Sequence, residues 1–149
     1  MAIDAGTRAS AEAATVCVIN KVRRRNGRRS LKQNSQLYSS AQAHATDMVQ
    51  KQYFSHTSAS GRSSTARIKS TGYLSGVSTW HVGENIAWGS GAFSTPRAIV
   101  QSWMNSAGHR KNIMERSYRE AGLAIVVGAP EQVGLSAGTY AHNFGQRSS

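Results

Sequence analysis

Residues 103–114 read WMNSAGHRKNIM, and the fold prediction rests on this stretch. Two upstream segments belong with it, YFSH at residues 53–56 and GENIA at residues 83–87. Each of the three contains a histidine or a glutamate. Imidazole and carboxylate groups are the side chains that both bind metals and transfer protons near neutral pH. We therefore predict that the three segments meet in one cleft that solvent can reach.

The charge pattern selects the same segments independently. Glu84 is the only carboxylate between Met48 and Met114, and in the sequence it lies between His56 and His109. An isolated glutamate bracketed by histidines in glycine-rich sequence suits a metal site or a proton-transfer site. It suits equally a hydrogen-bonded network that holds three loops over a small core. Both alternatives predict that the three side chains converge.

In their order and spacing, the three segments resemble the signature of the CAP domain. Cysteine-rich secretory proteins, antigen five venom allergens and plant pathogenesis-related 1 proteins share this domain, and the bacterial, SCP-like branch is the most similar. The resemblance implies one domain over residues 1–149, with its core at about residues 14–145. The mixture of helices and short strands favours an α+β fold. The resemblance sharpens this to a three-layer α-β-α sandwich with a small antiparallel central sheet.

The resemblance also implies roles for individual residues. His56 and His109 match the histidines through which some family members hold a divalent metal, and Glu84 matches the glutamate of the Gly-Glu-Asn motif. Ser106 stands where the family ordinarily has a second glutamate, and we expect Ser106 and Asn143 to line the cleft. Two neutral imidazoles and one carboxylate suffice for an open zinc site. The expected cofactor is therefore zinc or another divalent cation.

Two functions of different classes follow from these residues. The first is a secreted, non-enzymatic domain that binds a small ligand: a lipid, a cell-wall component or a divalent metal. The alternative is a zinc-dependent hydrolase in which Glu84 is the catalytic base, acting on water held by His56 and His109. The resemblance indicates the fold more strongly than it indicates the function. It also implies a monomer located outside the cell or in the cell envelope.

The composition adds a further partner class. The sequence has 18 Lys and Arg against 7 Asp and Glu, which gives a formal net charge of +11. Such a charge attracts nucleic acid, teichoic acids and anionic lipid headgroups. Seven of the cations fall within one short segment: Lys21, Arg23, Arg24, Arg25, Arg28, Arg29 and Lys32. No aromatic residue interleaves them, so we expect binding to anionic surfaces without sequence preference and no specific nucleic acid.

Apolar periodicity and turn residues predict the secondary structure. Helices are expected at residues 10–25, 35–51 and 64–70 and from Thr95-Pro96 onward, and strands at residues 80–88, 121–127 and 139–144. Ser10 is the expected N-cap of the first helix. Cys17, the only cysteine, is expected to be a small buried hydrophobe in that helix.

The two ends of the chain give one expectation each. Residues 1–6 have neither a basic region nor an apolar run, so no signal peptide is expected, and no stretch is long enough to span a membrane. In the last strand, period-two alternation puts His142 and Asn143 on opposite faces. Only one of them should therefore approach the site.

Overall fold

A four-stranded sheet organises the chain in the computed structural model, which describes residues 3–149. Met1 and Ala2, on which the expected absence of a signal peptide partly rests, lie outside the described residues. The elements in chain order are α1 (Arg8–Arg25), β1 (Lys32–Gln33), α2 (Ser35–Lys51), α3 (Ser64–Ser70), β2 (Thr79–Ser90), a 3-10 helix (Gly91–Ser94), α4 (Pro96–Met104), α5 (Ala107–Ile113), β3 (Glu120–Val127) and β4 (Ala137–Ser148).

The sheet has the strand order β1-β3-β4-β2 and is antiparallel in its two long pairings. The two-residue strand β1 adds a short parallel pairing to β3. Alternation along β4 separates two cores. Tyr140 and Phe144 pack with α1, α4 and α5, whereas Ala141 packs with Ala45 and Met48 of α2. The expected three-layer α-β-α sandwich is therefore confirmed.

Helices α2 and α4 begin where local capping predicts. Asn34 accepts hydrogen bonds from the backbone of Gln36 and Leu37 at the start of α2. Thr95 caps α4 in the same way, with Pro96 as its first residue. A proline at this position loses nothing because its missing N–H would have no partner within the helix. Neither start depends on distant contacts, which is why both were predictable.

The start of α1 differs from the prediction. The helix begins at Arg8 after Thr7, so Ser10 lies inside it and is not its cap. The Asp4 carboxylate accepts hydrogen bonds from the backbone of Gly6 and Thr7, at 2.8 and 2.9 Å. This turn leads the chain into the helix earlier than the apolar pattern indicated.

Cys17 is exposed, which corrects the expectation that it is buried. The buried face of α1 consists of Ala11, Thr15, Ile19 and Arg23. Residues spaced by four share a helix face, and Cys17 lies two positions from Thr15 and from Ile19, on the other side. Two members of the buried face are polar, so hydrophobicity alone placed the face incorrectly.

Arg23 anchors α1 to the segment that follows α5. Its buried guanidinium donates hydrogen bonds to the carbonyl oxygens of Arg29, Ile113, Glu115 and Tyr118, at 2.7, 2.7, 3.0 and 3.3 Å. Burial, with the charges of neighbouring arginines, lowers the Arg23 pKa to about 10. Arg23 belongs to the cationic run of residues 21–32, but it is buried and fixes the end of α5.

No helix within residues 3–149 combines the length and the apolar character needed to cross a membrane.

Candidate functional site

Glu84 occupies the middle of β2, directly opposite Asn143 of β4. Its carboxylate is buried, with 1% of the side chain exposed. Ile86, two positions further along β2, packs against α2, and residues two apart in a strand share a face, so Glu84 also faces the layer that α2 and α3 form. A charged group at such a position requires partners that replace water.

Three side chains supply those partners. His56 Nδ1 lies 2.9 Å from Glu84 Oε1. The Arg67 guanidinium donates to both carboxylate oxygens, at 2.8 and 3.2 Å. Asn143 Nδ2 donates to Oε2 at 2.9 Å. Both oxygens of Glu84 are thus fully engaged by a bidentate arginine, an imidazole and an amide.

These contacts decide the protonation state of Glu84. Burial by itself would raise the pKa of the carboxyl, but the hydrogen bonds from His56, Arg67 and Asn143 and the Arg67 charge lower it to about 2. A carboxylate with so low a pKa accepts a proton poorly near neutral pH. The surroundings of Glu84 therefore favour an orienting role over that of a catalytic base.

His56 lies in the loop between α2 and α3, and 56% of its side chain is exposed. Arg67 also binds the backbone carbonyl of His56, which fixes the loop. Since an ionised carboxylate only accepts hydrogen bonds, Nδ1 of His56 carries the proton. Its Nε2 has no hydrogen-bond partner within residues 3–149 and is free to bind a ligand.

His109 lies on α5 and is half-buried, with Nδ1 2.9 Å from the Ser106 hydroxyl. Burial lowers the pKa of His109, and the charge of His56 lowers it further, so the two imidazoles are within electrostatic reach of each other. As with His56, Nε2 of His109 has no hydrogen-bond partner in the described part of the chain. The sequence placed Ser106 at the cleft, and it is the residue that orients this ring.

The Gly-Glu-Asn motif also holds α5 in place. Asn85 donates to the carbonyl oxygen of His109 at 3.0 Å, and Asn112 donates to Asn85 Oδ1 at 2.9 Å. Asn112 lies 3.1 Å from the Glu84 carbonyl as well. A Cβ at Gly83 would lie 2.3 Å from the Tyr118 hydroxyl, so any larger residue there would force the buried Tyr118 ring to shift. The motif thus has an architectural role beside any binding role.

The predicted site residues fall into two contacting groups. His56 and Asn143 each contact Glu84, and His109 contacts Ser106. Glu84 and α5 lie on opposite sides of β2, and His109 makes no hydrogen bond to His56 or Glu84. The convergence of all three residues at one cleft therefore stays a prediction. Within residues 3–149, no three His, Cys, Asp or Glu side chains are grouped as a metal site.

Neighbouring positions of β4 have different environments. Asn143 reaches Glu84, whereas His142 is buried between Trp103 and Phe144, with ring centroids at 6.1 and 4.1 Å. Burial lowers the pKa of His142 to about 3, so it is a neutral core residue. Of the two side chains, Asn143 is the one that reaches Glu84, as the alternation along β4 predicts, and the assignment of this place as the functional site stays a prediction.

Sequence reasoning missed Arg67. Helix α3 was predicted correctly at Ser64–Ser70, but nothing in its pattern distinguished Arg67 from Lys69, which is exposed. The available signal was Glu84 itself, because an isolated carboxylate in a buried strand needs a cationic partner.

Comparisons with known proteins agree with this architecture. The family model for CAP, the cysteine-rich secretory protein family, matches residues 16–142. A Bacillus subtilis protein, YkwD, is 37% identical over 115 residues, which cover 77% of this chain and 42% of YkwD. The chain thus spans about two fifths of that relative.

Two solved structures share the fold. One is an extracellular protein containing an SCP domain from Bacillus anthracis, with a TM-score of 0.72 and 27% identity over 93% of this chain and 41% of that one. The other is an outer surface protein from Borrelia burgdorferi, with a TM-score of 0.77, 18% identity and coverage of 99% of this chain and 98% of that one.

Proposed function

Because this chain belongs to the CAP family of cysteine-rich secretory proteins, we propose that it is a non-catalytic binding domain whose His56 and His109 hold a divalent metal ion, with zinc as the expected ion. The observation that carries this proposal is the 2.9 Å contact between His56 Nδ1 and Glu84, which leaves Nε2 of an exposed imidazole open.

The arrangement resembles the way proteins prepare a histidine for a metal. A carboxylate that accepts the hydrogen bond of one ring nitrogen fixes the tautomer and makes the other nitrogen a better ligand. Glu84 would have this role for His56, and the Ser106 hydroxyl would orient His109. With two protein ligands, the remaining coordination positions would be open to water or to oxygen atoms of a bound molecule. A bound zinc ion would supply a Lewis-acidic contact for such oxygens.

The state of Glu84 supports binding over hydrolysis. A general base works best with a pKa near the working pH, and the Glu84 pKa is about 2. Its two oxygens are also occupied by Arg67, His56 and Asn143. The hydrolase alternative would require Glu84 to leave these partners during the reaction. A lipid or a cell-wall component as the ligand stays a prediction.

We also propose that the protein is located outside the cell or in the cell envelope. This assignment is supported by the similarity to the Bacillus anthracis SCP-domain protein, which is described as extracellular.

Zinc titration by calorimetry tests the proposal, using protein without a histidine tag. His56→Ala and His109→Ala should each remove most of the affinity, while His81→Ala, which changes an exposed histidine bound to Ser117, should keep it. Circular dichroism would verify folding. Equal affinity in wild type and His109→Ala would contradict the proposed site.

A second candidate function is polyanion binding by the surface around the end of α1. We define the basic face as Lys21, Arg24, Arg25, Arg28, Arg29, Lys32, Arg116 and Arg119. Arg116 reaches the Gly27 carbonyl at 3.4 Å, and the Lys32 backbone donates to the Arg119 carbonyl at 2.9 Å, so two chain segments form one surface. None of these cations has an ion pair within residues 3–149, because the ion pairs there involve other residues.

A further inference from the structure

A polar cavity of about 520 Å³ lies between α2 and α3, apart from the exposed ring of His56. Its polar lining includes Gln36, Ser39 and Ser40 of α2, Arg67 and Ser70 of α3, and Arg62 from the preceding loop. Ala43 is the only lining residue without a polar side chain. Cavities of this size accommodate small molecules through apolar contact and a few polar groups. Nearly every residue of this lining offers a hydrogen-bonding group, which favours a ligand that carries several polar groups of its own.

Two buried polar groups of the lining residues have no partner. Ser40 Oγ and Arg67 Nε are inaccessible and make no hydrogen bond within the described residues. An unsatisfied buried donor is costly, so such groups in a native structure require an explanation. Both residues line the cavity, so a ligand that enters it and displaces the atoms that cover these two groups would supply their missing partners, an acceptor for Arg67 Nε and a partner for the Ser40 hydroxyl.

The charge of the lining indicates the sign of that ligand. Arg62 and Arg67 line the cavity, and no acidic residue does. Arg67 is neutralised by Glu84, whereas the Arg62 guanidinium has no ion pair within residues 3–149 and donates to the Ala66 carbonyl and the Ser70 hydroxyl. One guanidinium charge thus remains uncompensated beside a group of hydroxyls. No aromatic side chain lines the cavity, so stacking of a sugar ring or a base has no platform.

From these contacts we propose that the cavity binds a phosphate ester of a short polyol. Guanidinium groups match the oxygens of phosphate in geometry and charge. Arg62 and Arg67 Nε would hold the phosphate, and the hydroxyls of Ser39, Ser40 and Ser70 would bind the polyol. Because Arg67 also binds Glu84 and the His56 carbonyl, the ligand would sit directly behind the Glu84–His56 pair.

Calorimetric titration with sn-glycerol 3-phosphate tests the proposal, with inorganic phosphate, citrate and glycerol as comparison probes. The ester should bind more tightly than any of the three. Ser40→Ala and Arg62→Gln should each weaken it by about tenfold or more, the cost of one charged or buried hydrogen bond. Neither residue contacts His56 or Glu84 through a hydrogen bond, so the histidine site is left intact.

Two controls separate the cavity from the general positive charge of the protein. Arg97→Gln removes an exposed cation of α4, and Arg24→Gln removes one from the basic face; neither should alter the affinity. Ser40→Ala should not lower the midpoint temperature of thermal unfolding, because it removes a hydroxyl that has no hydrogen-bond partner within the described residues. Absence of binding, an equal loss in Arg97→Gln and Arg62→Gln, or equal affinity for phosphate and the ester would overturn the proposal. Tighter binding of citrate would overturn it as well.

Discussion

Glu84 and Arg67 form a buried ion pair, with 2.8 Å between Oε2 and Nη1 and only 1% and 8% of the two side chains exposed. Four parts of the fold meet at this pair. Glu84 lies on β2 and Arg67 on α3, Asn143 of β4 binds the same carboxylate, and Arg67 holds the loop that carries His56. The orientation of the exposed imidazole therefore depends on a contact hidden beneath it.

We expect the effect of replacing either member of the pair on the free energy of unfolding to depend strongly on whether the other is present. Removing one partner of a buried ion pair costs about 3–5 kcal/mol, because the other charge remains buried and unpaired. Glu84→Gln and Arg67→Met should each destabilise the protein by about that amount. The double variant should be about 1–3 kcal/mol more stable than the sum of the two losses predicts. Urea unfolding of the four proteins measures this coupling, and strictly additive losses would show that the pair does not act as a unit.

Acid should lower the free energy of unfolding because it protonates Glu84. Its pKa of about 2 in the folded chain lies below the ordinary value of 4.5. A depressed pKa stabilises the fold above the unfolded-state pKa, and this contribution is lost as pH falls through the folded-state pKa. Between about pH 6 and about pH 2, wild type should lose up to roughly 3 kcal/mol more unfolding free energy than Glu84→Gln.

Glu131→Gln is the matched control for this measurement, since Glu131 is an exposed carboxylate outside the site. Its unfolding free energy should follow the wild-type dependence on pH. If Glu84→Gln also followed that dependence, Glu84 would not be the carboxylate that links stability to acid.

Local signals explain what the sequence could predict. Helix α2, at Ser35–Lys51, and the start of α4 after Thr95 depend on caps and apolar spacing within a few residues, and both match the structure. The partners of Arg23 and Arg67 lie far away in the sequence, so only the assembled fold shows that these charges are buried. Cys17 was misplaced because the buried face of α1 includes the polar residues Thr15 and Arg23, which the apolar pattern does not mark.

Zinc affinity should fall in acid, because a histidine must be neutral to coordinate a metal. Burial and the His56 charge lower the pKa of His109. Protons therefore compete with the metal for this ring less than they do for an ordinary histidine. We expect affinity to be retained at about pH 7.5 and reduced at about pH 5.5, within the range where histidines titrate. Calorimetry at the two pH values measures the change, and affinity that is equal at both would exclude imidazole ligands.

Glu84→Gln distinguishes the orienting role of Glu84 from direct coordination. If the carboxylate only orients His56, the variant should weaken zinc binding by about tenfold to a hundredfold, the usual effect of losing a group that supports a ligand. A loss as large as that of His109→Ala would instead make Glu84 a ligand. Hydrolytic activity that survives in Glu84→Gln would remove the hydrolase alternative in the form that uses this residue as base.

Binding of polyanions should depend steeply on salt and not on sequence. The basic face is cationic and lies around Arg24 and Arg25, which are both exposed and without ion pairs in the described chain. Each phosphate contact to duplex DNA contributes about 0.9 to the slope of log affinity against log salt. The double variant Arg24→Gln/Arg25→Gln should therefore make that slope shallower by about 2. Two DNA duplexes of different sequence should give the same values, because no aromatic residue within residues 21–32 offers a stacking platform.

The matched control for the basic face is Arg97→Gln, which changes the net charge by one unit at an exposed position of α4. If net charge alone attracted the polyanion, the slope for this variant would shift about half as far as that for the double variant. A local surface predicts no shift, because contacts count only where the polymer lies against the protein. Fluorescence anisotropy over a series of salt concentrations measures all three slopes. Tight binding to one duplex that persists at high salt would contradict a purely electrostatic surface and would indicate direct contacts to the bases.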